Sequence, residues 1–166
     1  MAVTLDSLLA SREARVAFQK SLLERYPYDT LICLTVIMPG NVKRNSQSLI
    51  VAQAALSALL DRFGTDIKWM GTRDLETGFE AYLVTPITPG PAKKALCAIE
   101  DTHPLGRLFD MDVITKDGPM SRSSIGLEPR KCLLCGNEAR VCMRSHAHTQ
   151  EELLSKINQM LEDYVR

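Results

Sequence analysis

Gly106-Arg107-Leu108-Phe109-Asp110-Met111-Asp112-Val113-Ile114 is the stretch on which the reading of the fold turns. In an extended chain its side chains alternate, so Asp110 and Asp112 point one way while Phe109, Met111 and Val113 point the other. Two neighbouring anions repel unless a cation lies between them. Mg²⁺ suits that place, since it is held by one or two carboxylates together with substrate phosphates. A bare D-x-D is more often a strand pair facing water, so the surrounding sequence has to decide.

Working outward, Pro89 to Glu100 reads as a short helix opened by Pro-Gly-Pro, directly ahead of a Gly106 to Thr115 strand. Before it, Ile67 to Thr72 and Gly78 to Thr85 read as two strands of a hairpin, joined by Asp74-Leu75-Glu76-Thr77-Gly78. Ser46 to Phe63 reads as a helix whose apolar face is Leu49, Ile50, Ala54, Leu56, Ala58, Leu59 and Leu60, closed by Gly64. Thr30 to Met38, rich in Leu, Ile, Val and Thr, is a buried strand that stops at Pro39-Gly40. The order is strand, helix, strand, strand, helix, strand. That is the split βαβ or ferredoxin-like pattern, an α+β fold in which two helices cover one face of a four-stranded sheet. Carboxylates on the face opposite those helices are similar in placement to the palm of nucleotide-polymerising enzymes, an analogy of fold alone.

An N-terminal helix is expected from Thr4 to Tyr26, with Thr4 or Asp6 as its cap and Leu5, Leu8, Leu9, Val16, Phe18, Leu22 and Leu23 as its apolar positions. Its charged side, Arg12, Glu13, Arg15, Gln19 and Lys20, reads as a solvated face. After Lys116 the character changes. Asp117-Gly118-Pro119 is a turn, Met120 to Leu127 is a loop, and Gln150 to Tyr164 is an amphipathic helix capped by Thr149. The expected organisation is an α+β core over residues 1–116, with a loop, a Cys/His segment and a C-terminal helix over 117–166 packed on the same domain.

The 166 residues include 20 basic and 20 acidic side chains, so the formal net charge is zero. No global field recruits nucleic acid or an anionic membrane, and any bound anion must be held by a local cluster. With only four Phe, four Tyr and one Trp, an RNA-stacking surface is disfavoured. The first residues lack the basic and apolar regions of a signal peptide, and no stretch has the length of a membrane span, so a cytoplasmic location is expected. Five cysteines, Cys33, Cys97, Cys132, Cys135 and Cys142, then point to metal or redox chemistry before disulfides.

Local cation clusters exist. Asn41-Val42-Lys43-Arg44-Asn45 follows a buried strand and precedes a helix, where backbone N–H groups and the helix dipole add to Lys43 and Arg44 in cradling phosphate. An ordinary exposed basic loop is the plainer reading. Ser121, Arg122, Ser123 and Ser124 sit in a loop suited to phosphate contact or to simple connection. In Arg130-Lys131-Cys132-Leu133-Leu134-Cys135-Gly136, the C-x-x-C has the spacing of a zinc knuckle, and Cys142 with His148 or His146 would complete a tetrahedral Cys₃His set. The competing reading is a set of reduced thiols beside a phosphate-binding patch of Arg130, Lys131, Arg140 and Arg144. A thioredoxin-type role is disfavoured because no βαβ start precedes the motif.

G-R-L-F-D-M-D-V, then R-K-C-L-L-C, then C-x-R with a downstream histidine, together resemble the apo-citrate lyase phosphoribosyl-dephospho-CoA transferases, the holo-acyl-carrier-protein synthases of citrate lyase. R-E-A-R with Gln19, P-G with Lys43 and T-G-x-E-A-Y over Thr77 to Tyr82 extend the resemblance to almost the whole chain. It implies a nucleotidyltransferase-type enzyme. A serine of the acyl carrier (gamma) subunit attacks triphosphoribosyl-dephospho-CoA, pyrophosphate leaves, and the prosthetic group is joined through a phosphodiester. Such chemistry needs positioning and charge neutralisation more than covalent help. On this reading Asp110 and Asp112 hold Mg²⁺, Arg107 acts beside them, and Lys43, Arg44, Arg122, Arg130, Lys131 and Arg144 meet phosphates or the carrier. His148 is the match for the family histidine, so a Zn²⁺ site would be Cys132, Cys135, Cys142 and His148. The alternatives are a nucleotidyl or phosphoribosyl transferase with another acceptor, and a non-catalytic zinc-knuckle binding module.

Overall fold

A computed structural model describes residues 1–166, and the chain separates into two compact units, Met1–Met120 and Ser121–Arg166. The first is a mixed α/β unit whose five-stranded open sheet is antiparallel throughout. Its elements run α1 (Leu5–Arg25), β1 (Thr30–Val36), α2 (Ser46–Phe63), β2 (Trp69–Leu75), β3 (Gly78–Thr85), α3 (Pro89–Thr102), β4 (Phe109–Thr115) and β5 (Gly118–Pro119). The second unit holds α4 (Ala139–Ser145) and α5 (Gln150–Val165), making five α-helices in all.

Local chemistry sets the helix starts. Thr4 and Ser7 exchange side-chain and backbone hydrogen bonds at the head of α1, and Asn45 with Ser48 does the same at α2. Thr149 and Glu152 box the start of α5. Pro89 opens α3 without an N–H that would have been orphaned there in any case.

The strand order is β2-β3-β1-β4-β5. The four expected strands are joined by a fifth, because Gly118, at φ +103, turns the chain back so that Pro119 pairs with Ile114. β4 begins at Phe109, not Gly106. Gly106 to Leu108 is instead a 3₁₀ turn, because Gly106 lies under the end of α3, where a Cβ would stand 2.3 Å from the Glu100 carbonyl oxygen. Arg107 therefore sits in the turn ahead of the strand. β2 runs to Leu75, three residues beyond the expected end.

Alternation along the strands divides the core. Ile32, Leu34, Ala81, Leu83, Met111 and Val113 are buried on one face, where α2 packs against β1 and β3 and α3 against β4. The buried apolar residues of α2 are Val51, Ala52, Ala54, Ala55, Leu59 and Phe63, of which Ala54 and Leu59 were expected. Leu49, Ile50 and Leu60, expected on the apolar face, are exposed, since spacing of three and four residues places them on the outer side. On the opposite face Leu31, Cys33, Tyr82, Val84 and Ile114 cluster with Leu22 of α1, joined by Phe18, Leu23, Tyr26 and Trp69. The carboxylate face, opposite α2 and α3 as expected, is covered in part by α1, a helix whose place on the sheet the sequence left unassigned. α1 itself departs from the amphipathic reading: Leu5, Leu9 and Val16 are exposed and only Leu22 is buried.

No helix is long and apolar enough to cross a membrane.

Candidate active site and Cys/His cluster

Sheet register assembles the site. The row nearest the apolar cluster is Trp69, Val84, Leu31 and Ile114; the next is Gly71, Tyr82, Cys33 and Asp112; the third is Arg73, Glu80, Thr35 and Asp110. One sheet face therefore grades from apolar to charged along β1. The gradient arises because each of the four strands carries its polar residues at the matching end.

α1 follows the same gradient. Leu22 lies in the apolar cluster, Phe18 meets Tyr82 edge-on with ring centroids 4.8 Å apart, and Arg15 Nε lies 3.0 Å from Glu80 Oε1. One turn further, Ser11 shares a hydrogen bond with Thr77. The Arg73 guanidinium stacks 3.9 Å over the Phe18 ring. Glu80 is buried and also accepts a short hydrogen bond from the Tyr82 hydroxyl. Burial, then the Glu80 contact, pushes the Tyr82 phenol well up from its ordinary value. Burial likewise pushes the Cys33 thiol up to about 12, against the lowering effect of its Gln19 hydrogen bond.

Both expected carboxylates lie on this face and are half-buried. Asp110 Oδ2 accepts from Thr35 Oγ1 at 3.4 Å, and Asp112 Oδ1 lies 3.2 Å from Lys93 Nζ. Lys93 comes from α3, is itself buried, and also donates to the Met111 carbonyl oxygen. Glu100, seven residues along the same helix, accepts from the Met111 N–H at 3.0 Å. Lys93 and Glu100 thus satisfy the open edge of β4 and leave Lys93 reaching across to Asp112. Two half-exposed carboxylates on one strand face are hard oxygen donors with the charge that Mg²⁺ takes.

The loop after β1 lies at the end of the strand that pairs with Asp110. Lys43 Nζ donates to the Met38 carbonyl oxygen at 2.6 Å, while Arg44 forks onto both oxygens of exposed Asp74 at 2.8 Å each. Burial and then the nearby Arg12 guanidinium hold the Lys43 ammonium below its usual value. Arg12 and Lys43 are therefore two cations brought together by elements distant in sequence. Arg12, Arg15, Glu80 and Lys93 carry no expected role from local pattern; the only signal for the first three was their place inside the R-E-A-R and T-G-x-E-A-Y motifs. Arg15 is not a solvated surface charge, because the carboxylate it meets is buried.

In the second unit, the Cys132, Cys135, Cys142 and His148 ligand atoms all lie within 4.8 Å of one another, a group able to hold a metal ion and compatible with Zn²⁺. Cys132 and Cys135 sit on a tight turn in which the Leu134 N–H donates to Cys132 Sγ at 3.4 Å. The turn is closed by Cys132 N–H to the Asn137 carbonyl oxygen at 2.7 Å and by a bridge between Lys131 and Glu138. The Asn137 backbone N–H is the largest of the influences that bring the Cys135 thiol down to about 6. His146 ends α4 in the left-handed conformation at φ 49, and the reversal brings in His148 rather than His146. Arg122 lies in a 3₁₀ turn, Arg130 and Lys131 flank the knuckle, and Arg144 is in the last turn of α4.

Charges of both signs gathered around half-buried carboxylates suit group transfer on anionic substrates, the class of chemistry this site could serve. Known sequences place the chain more closely. Residues 3–164 match the family model described as apo-citrate lyase phosphoribosyl-dephospho-CoA transferase, CitX. A Vibrio cholerae serotype O1 protein named "Probable apo-citrate lyase phosphoribosyl-dephospho-CoA transferase" is 41% identical over 169 residues, covering 99% of this chain and 94% of its own length. One of the same name from Streptococcus pyogenes serotype M18 is 34% identical, with 98% and 88% covered. "Protein CitXG" of Haemophilus influenzae is 37% identical over 98% of this chain, which matches 36% of that longer protein. The chain belongs to the CitX family, whose named activity is phosphoribosyl-dephospho-CoA transfer to apo-citrate lyase.

Proposed function

We propose that the chain attaches the prosthetic group from triphosphoribosyl-dephospho-CoA to a serine of the citrate lyase acyl carrier subunit, with release of pyrophosphate. The observation that carries this reading is convergence. Arg15 from R-E-A-R, Glu80 and Tyr82 from T-G-x-E-A-Y, and Asp110 and Asp112 from F-D-M-D all gather on one sheet face, in two adjacent rows. The order β2-β3-β1-β4, with α2 and α3 as connections on the other face, supports reading this core as ferredoxin-like.

In the reaction the serine oxygen forms a bond to the phosphorus bearing the ribosyl group, and the bond from that phosphorus to pyrophosphate breaks. Asp110, at the charged end of the face, takes the serine proton. Asp112, paired with Lys93, stays anionic and keeps its orientation. Asp110 and Asp112 would hold Mg²⁺, which would supply neutralisation of the triphosphate. Arg107, Arg12, Lys43 and Arg44 bind the phosphates that leave. Arg122, Arg130, Lys131 and Arg144 bind the dephospho-CoA phosphates or the carrier surface. Cys132, Cys135, Cys142 and His148 would hold Zn²⁺. The five cysteines, none of them in a disulfide, support a cytoplasmic setting.

The test is direct. Protein, Mg²⁺ and triphosphoribosyl-dephospho-CoA are incubated with apo acyl carrier subunit, and the carrier is weighed by mass spectrometry. A mass gain equal to the prosthetic group is expected, and an unchanged carrier mass rejects the reading.

A further inference from the structure

We infer that Cys132, Cys135, Cys142 and His148 form a closed, structural Zn²⁺ site on which the folding of Ser121–Arg166 depends. Three independent observations point there. The His148 Nε2 atom is buried and has no hydrogen-bond partner, a costly state unless that lone pair meets a metal. The Cys135 and Cys142 sulfurs are 3.4 Å apart, too far for a disulfide at about 2.05 Å. They are near the ~3.8 Å that separates two sulfurs each 2.3 Å from a tetrahedral centre. The Leu134 N–H aimed at Cys132 Sγ, two residues on, stabilises a thiolate as a knuckle does.

Three thiolates and one imidazole fill a tetrahedral shell, leaving no position for water or substrate, so the ion is structural and not catalytic. The apolar core of the unit is also thin. Its only buried apolar side chains are Cys142, Ile157 and Leu161, and one of these is a ligand. A segment this small with so thin a core needs a staple, and no disulfide is present. His146 further holds the left-handed conformation at φ 49, a strain borne where the chain reverses to deliver His148. Binding energy of the metal then becomes folding energy of the unit.

This inference does not rest on the transfer reaction, and its test reads no activity. Full-length protein purified without chelator is expected to carry one zinc per chain by elemental analysis, and Co²⁺ in its place to give the visible and near-ultraviolet bands of a tetrahedral thiolate site. After zinc removal, hydrogen exchange is expected to lose amide protection over residues 121–166 while β1, β3 and β4 keep theirs. His148→Cys should retain the metal, and His148→Ala should lose affinity by more than about 100-fold, since loss of even an outer-shell partner costs 10–100-fold. Zinc-free protein with no Co²⁺ spectrum overturns the site. Protection of residues 121–166 that survives zinc removal overturns the structural role.

Discussion

Arg15 Nε stands 3.0 Å from Glu80 Oε1, joining α1 to the centre of the sheet across 65 residues of sequence. The Glu80 side chain is 3% exposed and that of Arg15 28%, so the pair sits at a wall of the site and not in bulk water. Removing Arg15 would leave a buried carboxylate held only by the Tyr82 hydroxyl.

Arg15→Ala is therefore expected to cost about 2–3 kcal/mol in urea unfolding, below the usual cost of breaking a fully buried pair because Arg15 is part-exposed. Glu80→Gln in the Arg15→Ala background should recover part of that loss. A single-mutant cost under about 0.5 kcal/mol, the level of an ordinary surface change, would show that the pair contributes nothing.

Asp110→Asn and Asp112→Asn keep shape and remove charge at half-buried positions. Each is expected to reduce carrier modification by at least about 100-fold, in line with loss of a group that stabilises developing charge. Circular dichroism should remain unchanged. Full activity in both variants would exclude a role for the pair in charge neutralisation.

Lys93→Met deletes a buried cation that serves both the Met111 carbonyl oxygen and Asp112. The unmade bonds are expected to destabilise the protein by about 1–3 kcal/mol. Lys93→Arg, which keeps charge while changing reach, separates the two duties: a stable but inactive Arg variant assigns Lys93 to orienting Asp112, and a fully active one assigns it to the strand edge alone.

Cys33, with its thiol at about 12, stays protonated across the range in which a free cysteine ionises. Iodoacetamide at about pH 8.5, the ordinary thiol value, should leave Cys33 unmodified in native protein and label it after denaturation. The raised value also fixes the sign of a pH effect. The neutral thiol favours the folded state below the unfolded-chain value, and that contribution is lost as pH rises from there toward the folded value. Rapid native labelling of Cys33, mapped by peptide mass, would contradict its burial.

Helix starts and strand patterns are local, and they were legible from residues alone. Thr4 and Thr149 cap where their spacing to Ser7 and Glu152 says they must, and the Phe109 to Thr115 alternation puts Asp110 and Asp112 on one face whatever that strand pairs with. The C-x-x-C and its downstream partners likewise announced their group. The sequence by itself, through motifs spread from R-E-A-R to C-x-R, also carried the family. Tertiary structure alone decided what meets those carboxylates. Antiparallel register puts Thr35 beside Asp110, with Glu80 and Arg73 further along the same row, α1 turns Arg15 inward where its composition reads as a solvated face, and Lys93 crosses from the opposite layer to Asp112. These contacts depend on pairings between distant segments, and no periodicity within one segment encodes which partner it will find. The Gly106 to Ile114 stretch names two anions, while the sheet and its helices choose their neighbours.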